Sequence, residues 1–76
     1  MPADLVLVLA ERDYMYGVGD LTLRIRRVER EAPISYDDEW WYYVHGMQLG
    51  HEGREVGERV VVVRGRRLVQ AGLPVE

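Results

Sequence analysis

The side chains that could hold a metal ion or carry out acid–base chemistry are few and poorly spaced in this sequence. His45 and His51 stand six residues apart with a glycine-containing segment between them, a separation that matches no common ligand spacing. The acidic run Asp37-Asp38-Glu39 could supply a general acid and base, but it lies in a polar segment that offers no pocket. We therefore predict no metal site and no cofactor.

Nucleophiles with an adjacent base are also missing. Ser35 is the only serine, and no histidine lies near it in sequence. The pair Gly17-Val18-Gly19 lacks the third glycine and the following helix of a dinucleotide-binding turn. The sequence predicts that the chain is not an enzyme. A small enzyme or ligand-binding protein that completes its site by oligomerising stays as a separate hypothesis.

Composition limits the class of protein. The chain has 76 residues, thirteen acidic and ten basic side chains, a net charge of −3 and no cysteine, so disulfides and thiolate zinc sites are excluded. No segment has the ~20 apolar residues of a membrane helix. The start, Met1 to Asp4, carries an acid where a signal peptide would be basic. We expect a cytoplasmic protein without membrane contact.

The length predicts one small domain over residues 1–72, followed by a short tail over 73–76. A domain of this size has a thin margin of stability, and such domains are often stabilised by a disulfide, a metal or a partner. With the first two excluded, a protein partner or self-association becomes the expectation.

The first half of the chain contains two candidate strands. The apolar run Leu5 to Ala10 fits a buried strand, although its periodicity also permits a helix. From Leu21 to Arg26 apolar and polar residues alternate, and a bulge near Arg26-Arg27 would bring Val28 back into phase. The stretch Glu31 to Glu39 is predicted to be a loop.

The second half of the chain contains two or three further candidate strands. Trp40 to His45 is the most β-prone run, and Val60 to Val63 forms a second apolar strand flanked by arginines. We predict a central position for this valine strand; at an edge it could instead pair with another copy or an extended peptide. Leu68-Val69 forms either a last short strand or a helical turn.

Four or five short strands separated by glycine-rich turns indicate an all-β fold. The chain is too short for a seven-stranded sandwich. The sequence therefore predicts a small five-stranded barrel or a strongly bent antiparallel sheet.

Two segments resemble the Src-homology-3 family. Tyr14-Met15-Tyr16 is similar to that family's tyrosine-bearing first loop, and Asp38-Glu39-Trp40-Trp41 is similar to its acidic loop with paired tryptophans. The resemblance covers about half the chain and implies a barrel of that general shape. It also implies a groove for proline-rich peptides, with Tyr14, Tyr16 and Trp40 at the matching positions. The family's proline-serine-x-tyrosine motif is not present near Pro74.

Aromatic residues form the strongest candidate site. Neither face of the run Trp40-Trp41-Tyr42-Tyr43 is polar, so at least two large rings remain outside whichever face is buried. We predict a non-catalytic interaction module or accessory subunit that docks on a protein partner, or on itself, through this run and Tyr14 and Tyr16. Arg24 and Arg26 would supply polar contacts at the rim. The alternative is that loops cover the second face.

The arginines support a second hypothesis. Those between Arg24 and Arg30 could join those between Arg64 and Arg67 in one basic patch, which with aromatic rings would hold single-stranded nucleic acid. A solvated face paired with nearby glutamates is the competing interpretation. The net acidity favours the latter, because nucleic-acid-binding proteins are usually basic.

Overall fold

The computed structural model describes residues 5–75. Its four strands and one helix are β1 (Val6–Leu9), β2 (Leu21–Tyr36), β3 (Glu39–Leu49), β4 (Glu55–Arg64) and α1 (Gly65–Gln70). The strands form one antiparallel sheet in the order β1-β2-β3-β4, curled into a half-barrel. The prediction of an all-β, strongly bent antiparallel sheet is confirmed. The acidic start at Asp4 and the last residue of the predicted tail, Glu76, lie outside the described residues.

The second strand follows its sequence pattern closely. Leu21, Leu23 and Ile25 are buried, as their alternation with polar residues predicts. The register with β3 shifts between Ile25 and Arg27, so the predicted bulge is confirmed, and Val28 returns to the core beyond it.

The loop predicted over Glu31 to Glu39 is wrong. β2 bulges away from β3 between Glu29 and Ile34, then pairs with it again up to Tyr36. Only Asp37 and Asp38 form the turn, with φ angles of 55° and 60°. Two consecutive residues of positive φ are typical of the tightest hairpin turns, and aspartate tolerates this conformation better than most residues. A β-hairpin therefore replaces the loop.

The core lies on the inner face of the curled sheet. Leu9, Leu23, Val44 and Val63 are fully buried there, and Leu68 of α1 joins them. Leu68-Val69 lies within α1 and is helical rather than a fifth strand. The helix ends because Gly72 has a φ of 82°, and the amides of Gly72 and Leu73 donate to the carbonyls of Val69 and Leu68, a common glycine-terminated helix end. Leu73 and Val75 of the predicted tail pack on the core, with Val75 buried.

The segment after β1 reaches across to β4. The Met15 amide donates to the Val62 carbonyl at 2.9 Å, and Tyr14 forms a bridge with Val63. The Tyr14 hydroxyl donates to the Gly19 carbonyl at 2.8 Å, and the Gly19 amide donates to Glu11 at 2.9 Å. These bonds shape the segment from within and tie it to the sheet.

The predicted central position of Val60 to Val63 is wrong, because β4 is the last strand of the sheet. The prediction treated the continuous valine run as a strand paired on both sides. In the structure the inner face buries Val61 and Val63, while Tyr14 and Met15 cover only the end of the free edge.

Candidate interaction groove

Two distant parts of the chain form the sides of a groove on one end of the sheet. One side is the segment 11–17 after β1, and the other is the β2–β3 hairpin at 34–37. The groove has a volume of about 730 Å³, within the size range of small-molecule and peptide pockets. We call it the aromatic groove and define it by its main lining residues, Met15, Tyr16, Ile34, Tyr36, Trp41 and Arg64.

Trp41 is the fixed ring of the groove. Its side chain is 3% exposed, and its indole Nε1 donates to the Tyr36 carbonyl at 2.9 Å. The Tyr36 ring meets it edge to face, with ring centroids 5.8 Å apart. Edge-to-face geometry is favourable for aromatic pairs, and the buried indole has its hydrogen-bond partner. The hairpin thereby holds Trp41 in one orientation.

Arg64 joins the two sides. Its guanidinium lies 4.9 Å from the Trp41 ring centroid, and Nη1 donates to Glu39 at 2.8 Å. Nη2 donates to the Arg12 carbonyl at 3.0 Å, while Nε lies 3.8 Å from Asp13 and has no hydrogen bond. The Arg64 side chain is only 13% exposed. One cation thus connects β4, the hairpin and the segment after β1.

The rings at the rim are exposed. Tyr16 is 98% exposed and Tyr36 is 59% exposed. Tyr16 also has a φ of 59°, a conformation that costs a non-glycine residue about 1 kcal/mol or more. Among residues 5–75 its ring gains no packing that would offset this cost. Exposed rings beside a rigid aromatic floor are typical of a binding surface.

Charges at the groove are mostly acidic or already paired. Arg64 is neutralised by Glu39 and Asp13, whereas Asp37 lines the groove at the exposed turn and Asp38 follows it. Arg12 is the other cation in the lining. The hairpin side therefore presents negative charge to a ligand.

The structure divides the predicted aromatic site among different places. Tyr14, Tyr16 and Trp41 line the groove. Trp40, which is 57% exposed, lies instead beside α1, in a second depression that Val69 also lines. Trp41 therefore stands at the groove, where the Src-homology-3 resemblance implied Trp40.

The other predicted positions lie outside the groove. Tyr42 is buried in the core and Tyr43 is partly exposed. Arg24 and Arg26 form ion pairs with Glu55 and Glu58 of β4. The sequence did not identify Tyr36 or Arg64 as site residues, because their roles depend on the hairpin and on contacts between distant strands.

The arginines are distributed among acidic and carbonyl partners. Besides the pairs of Arg24 and Arg26, Arg30 donates to the Pro74 carbonyl, Arg66 lies 3.3 Å from Glu39, and Arg67 donates to the Val8 carbonyl at 3.3 Å. Guanidinium groups engaged in this way are less available for phosphate. The contacts agree with the interpretation of a paired, solvated set of arginines.

A polar cluster occupies β2 and β3 away from the groove. His45 Nε2 is hydrogen-bonded to Glu29 and lies 3.2 Å from Arg27 Nη2. The hydrogen bond from His45, together with the charges of His45 and Arg27, lowers the pKa of the Glu29 carboxyl below its ordinary value. His51 lies 3.9 Å from Glu52 in an exposed turn.

Comparison of the chain with protein-family models, curated proteins and solved structures finds no match. Among residues 5–75, no helix is long and apolar enough to cross a membrane. The aromatic groove and its contacts are therefore the basis on which a function can be proposed.

Proposed function

We propose that this chain is a non-catalytic interaction module that binds an extended segment of a protein partner in the aromatic groove. The observation that carries the proposal is the pairing of a rigid floor, Trp41 stacked against Arg64, with the exposed rings of Tyr16 and Tyr36. A preformed floor lowers the ordering cost of binding, and exposed tyrosines supply large contact areas with few rotatable bonds.

The chemistry of the groove favours one kind of ligand. Apolar and aromatic side chains line it, and Asp37 and Asp38 lie on the hairpin side. An extended segment with an apolar residue for the floor and a basic residue near the hairpin turn complements both features. The groove lining includes no histidine that could activate its one serine, Ser35, which supports binding rather than catalysis.

The test compares three variants of the tagged chain in nuclease-treated lysate of the source organism, with captured proteins quantified by mass spectrometry. Tyr16→Ala and Tyr36→Ala remove the rim rings. Val18→Ala is the matched control, because Val18 is 87% exposed in the same segment but does not line the groove. Circular dichroism verifies that each variant is folded.

We expect a specific protein to be captured by the wild type and by Val18→Ala, and to be lost from both tyrosine variants. Asp37→Lys should weaken the same interaction, because it reverses the charge beside the proposed basic residue. Equal capture by all folded variants would overturn the proposal. Capture of nothing except further copies of the chain would replace it with self-association.

A further inference from the structure

Along the free edge of β4, several backbone amides and carbonyls point away from β3. The Val62 carbonyl accepts from Met15 on the side away from β3. Along a strand the amide and carbonyl of one residue point to the same side, and the side alternates from residue to residue. The register with β3 is uninterrupted from Val62 back to Glu58, so the amides and carbonyls of Val60 and Glu58 also face the free edge. Among residues 5–75, the backbone bonds to this edge stop at Val62.

We propose that the β4 edge at Glu58–Val60 receives an extended segment of a different protein as an additional antiparallel strand. Unpaired amides and carbonyls on an edge strand are a template for another strand. Val56 and Val60 are 60% and 54% exposed, so apolar side chains are available to the incoming segment. This surface lies outside the aromatic groove and does not depend on it.

The charges on β4 argue against a second copy as the occupant. A symmetric antiparallel pair centred on Arg59 places two Arg59 side chains opposite each other, and one centred on Glu58 does the same with two carboxylates. Like charges directly opposite are destabilising. A pair centred on Gly57 would have to continue across the irregular pairing of β4 between Gly57 and Glu55. A pair centred on Val60 needs Val62, whose carbonyl is already bound by Met15.

The opposite edge of the sheet is also an unsuitable partner for β4. β1 is short and has no charged side chain from Val6 to Leu9, so it has no group that could form an ion pair with Glu58 or Arg59. Its Val8 carbonyl accepts from the Arg67 side chain at 3.3 Å, which places a long side chain against that edge. A head-to-tail array of copies is therefore disfavoured as well.

The same charges define the partner, because the contacts of Glu58 with Arg26 and of Arg59 with Gln48 are exposed and such contacts are weak enough to be exchanged. The side chains of Glu58 and Arg59 lie on opposite faces of the strand, since neighbouring residues alternate. An antiparallel segment complements them when it carries an acidic residue opposite Arg59, followed directly by a basic residue opposite Glu58. Each opposite-charge pair across strands contributes a fraction of a kcal/mol, so the two pairs select the segment while its backbone provides the hydrogen bonds.

The test uses the blocked peptide Thr-Val-Glu-Lys-Val-Thr and a control in which glutamate and lysine are exchanged, Thr-Val-Lys-Glu-Val-Thr. Nuclear magnetic resonance with ¹⁵N-labelled chain reports binding residue by residue. We expect the first peptide to shift and slow the exchange of the amides of Glu58 and Val60, with the control peptide about ten-fold weaker. The pattern should persist in Tyr16→Ala, which separates this surface from the groove.

Two variants make the result decisive. Val60→Pro removes an amide that faces the free edge, a position where proline is compatible with an edge strand, and should abolish binding. Glu58→Lys combined with Arg59→Glu leaves the backbone intact and should reverse the preference between the two peptides. The proposal is overturned if neither millimolar peptide shifts these amides or if both bind equally. It is also overturned if both amides become protected on raising the concentration of the chain alone, which would identify a second copy as the occupant.

Discussion

Replacing Arg64 tests whether one cation holds the aromatic groove together. Arg64→Met keeps an unbranched apolar stem of similar reach but removes the guanidinium. It takes away the contact with the Trp41 ring, the bond to Glu39 and the bond to the Arg12 carbonyl. Asp13, which is 17% exposed, then loses its cation, and Glu39, which is 25% exposed, keeps only the exposed Arg66 on its other oxygen.

The magnitude follows from these contacts. The cation–π contact contributes about 0.5–2 kcal/mol. Removing one partner of a fully buried ion pair costs about 3–5 kcal/mol, and the partial exposure of Glu39 and Asp13 reduces this cost. We therefore expect a loss of about 2–4 kcal/mol in the free energy of unfolding. Since a chain of this length has about 4–11 kcal/mol in total, the variant should be folded but clearly weakened.

Urea unfolding followed by tryptophan fluorescence measures this loss. Arg66→Met is the matched control, because Arg66 also lies beside Glu39, at 3.3 Å, but its side chain is 67% exposed. Exposed ion pairs contribute about 0–1 kcal/mol, so this control should change little. A double-mutant cycle of Arg64→Met with Glu39→Gln should give a coupling energy of at least about 0.5 kcal/mol.

Equal, small losses in Arg64→Met and Arg66→Met would refute the reasoning. Such a result would show that burial of Arg64 does not make its contacts more stabilising than those of the exposed Arg66. A large loss without coupling to Glu39 would instead assign the effect to packing of the arginine stem against Trp41.

Two further changes test the sheet. Gly46→Ala should destabilise the chain by about 2 kcal/mol, since a Cβ there would lie 2.5 Å from the Arg24 carbonyl oxygen; Gly57→Ala, with no atom within 4 Å of its Cβ, should be neutral or slightly stabilising in the same urea titration. The hydrogen bond to His45 lowers the pKa of Glu29 in the folded chain. The ionised carboxylate therefore adds to the free energy of unfolding above the unfolded pKa of about 4.5, and this stabilisation is lost as the pH falls from there through the lowered pKa. Glu29→Gln should therefore make the urea midpoint less dependent on pH in that acidic range, and an unchanged slope would contradict this assignment.

The sequence predicts those parts of the fold in which local pattern decides the outcome. The alternation from Leu21 to Ile25 has one polar face, so it determines which side enters the core, and the break in phase locates the bulge. The run Trp40 to Tyr43 has no polar face, so its pattern cannot determine which rings are buried. In the structure two neighbouring rings are buried on opposite faces: Tyr42 enters the core, whereas the hairpin and Arg64 cover Trp41.

The site was less predictable than the fold because its key contacts join distant residues. Arg64 has the appearance of a charged residue flanking a valine strand, and only the folded chain brings it to Trp41 and Glu39. The hairpin was missed because Pro33 and the acidic run are typical of loops, although two aspartates also permit a tight turn. Without the hairpin, Tyr36 cannot be placed beside Trp41.

The contact of Tyr14 with Val63 has a consequence for the rate of folding. Each pair of neighbouring strands is consecutive in the chain, so the three hairpins can form by local zippering. The bridge between Tyr14 and Val63 joins positions near opposite ends, and closing so long a loop costs entropy before the contact stabilises it. This bridge should form last, so substitutions at Tyr14, whose side chain packs in the core, should accelerate unfolding while leaving the folding rate nearly unchanged.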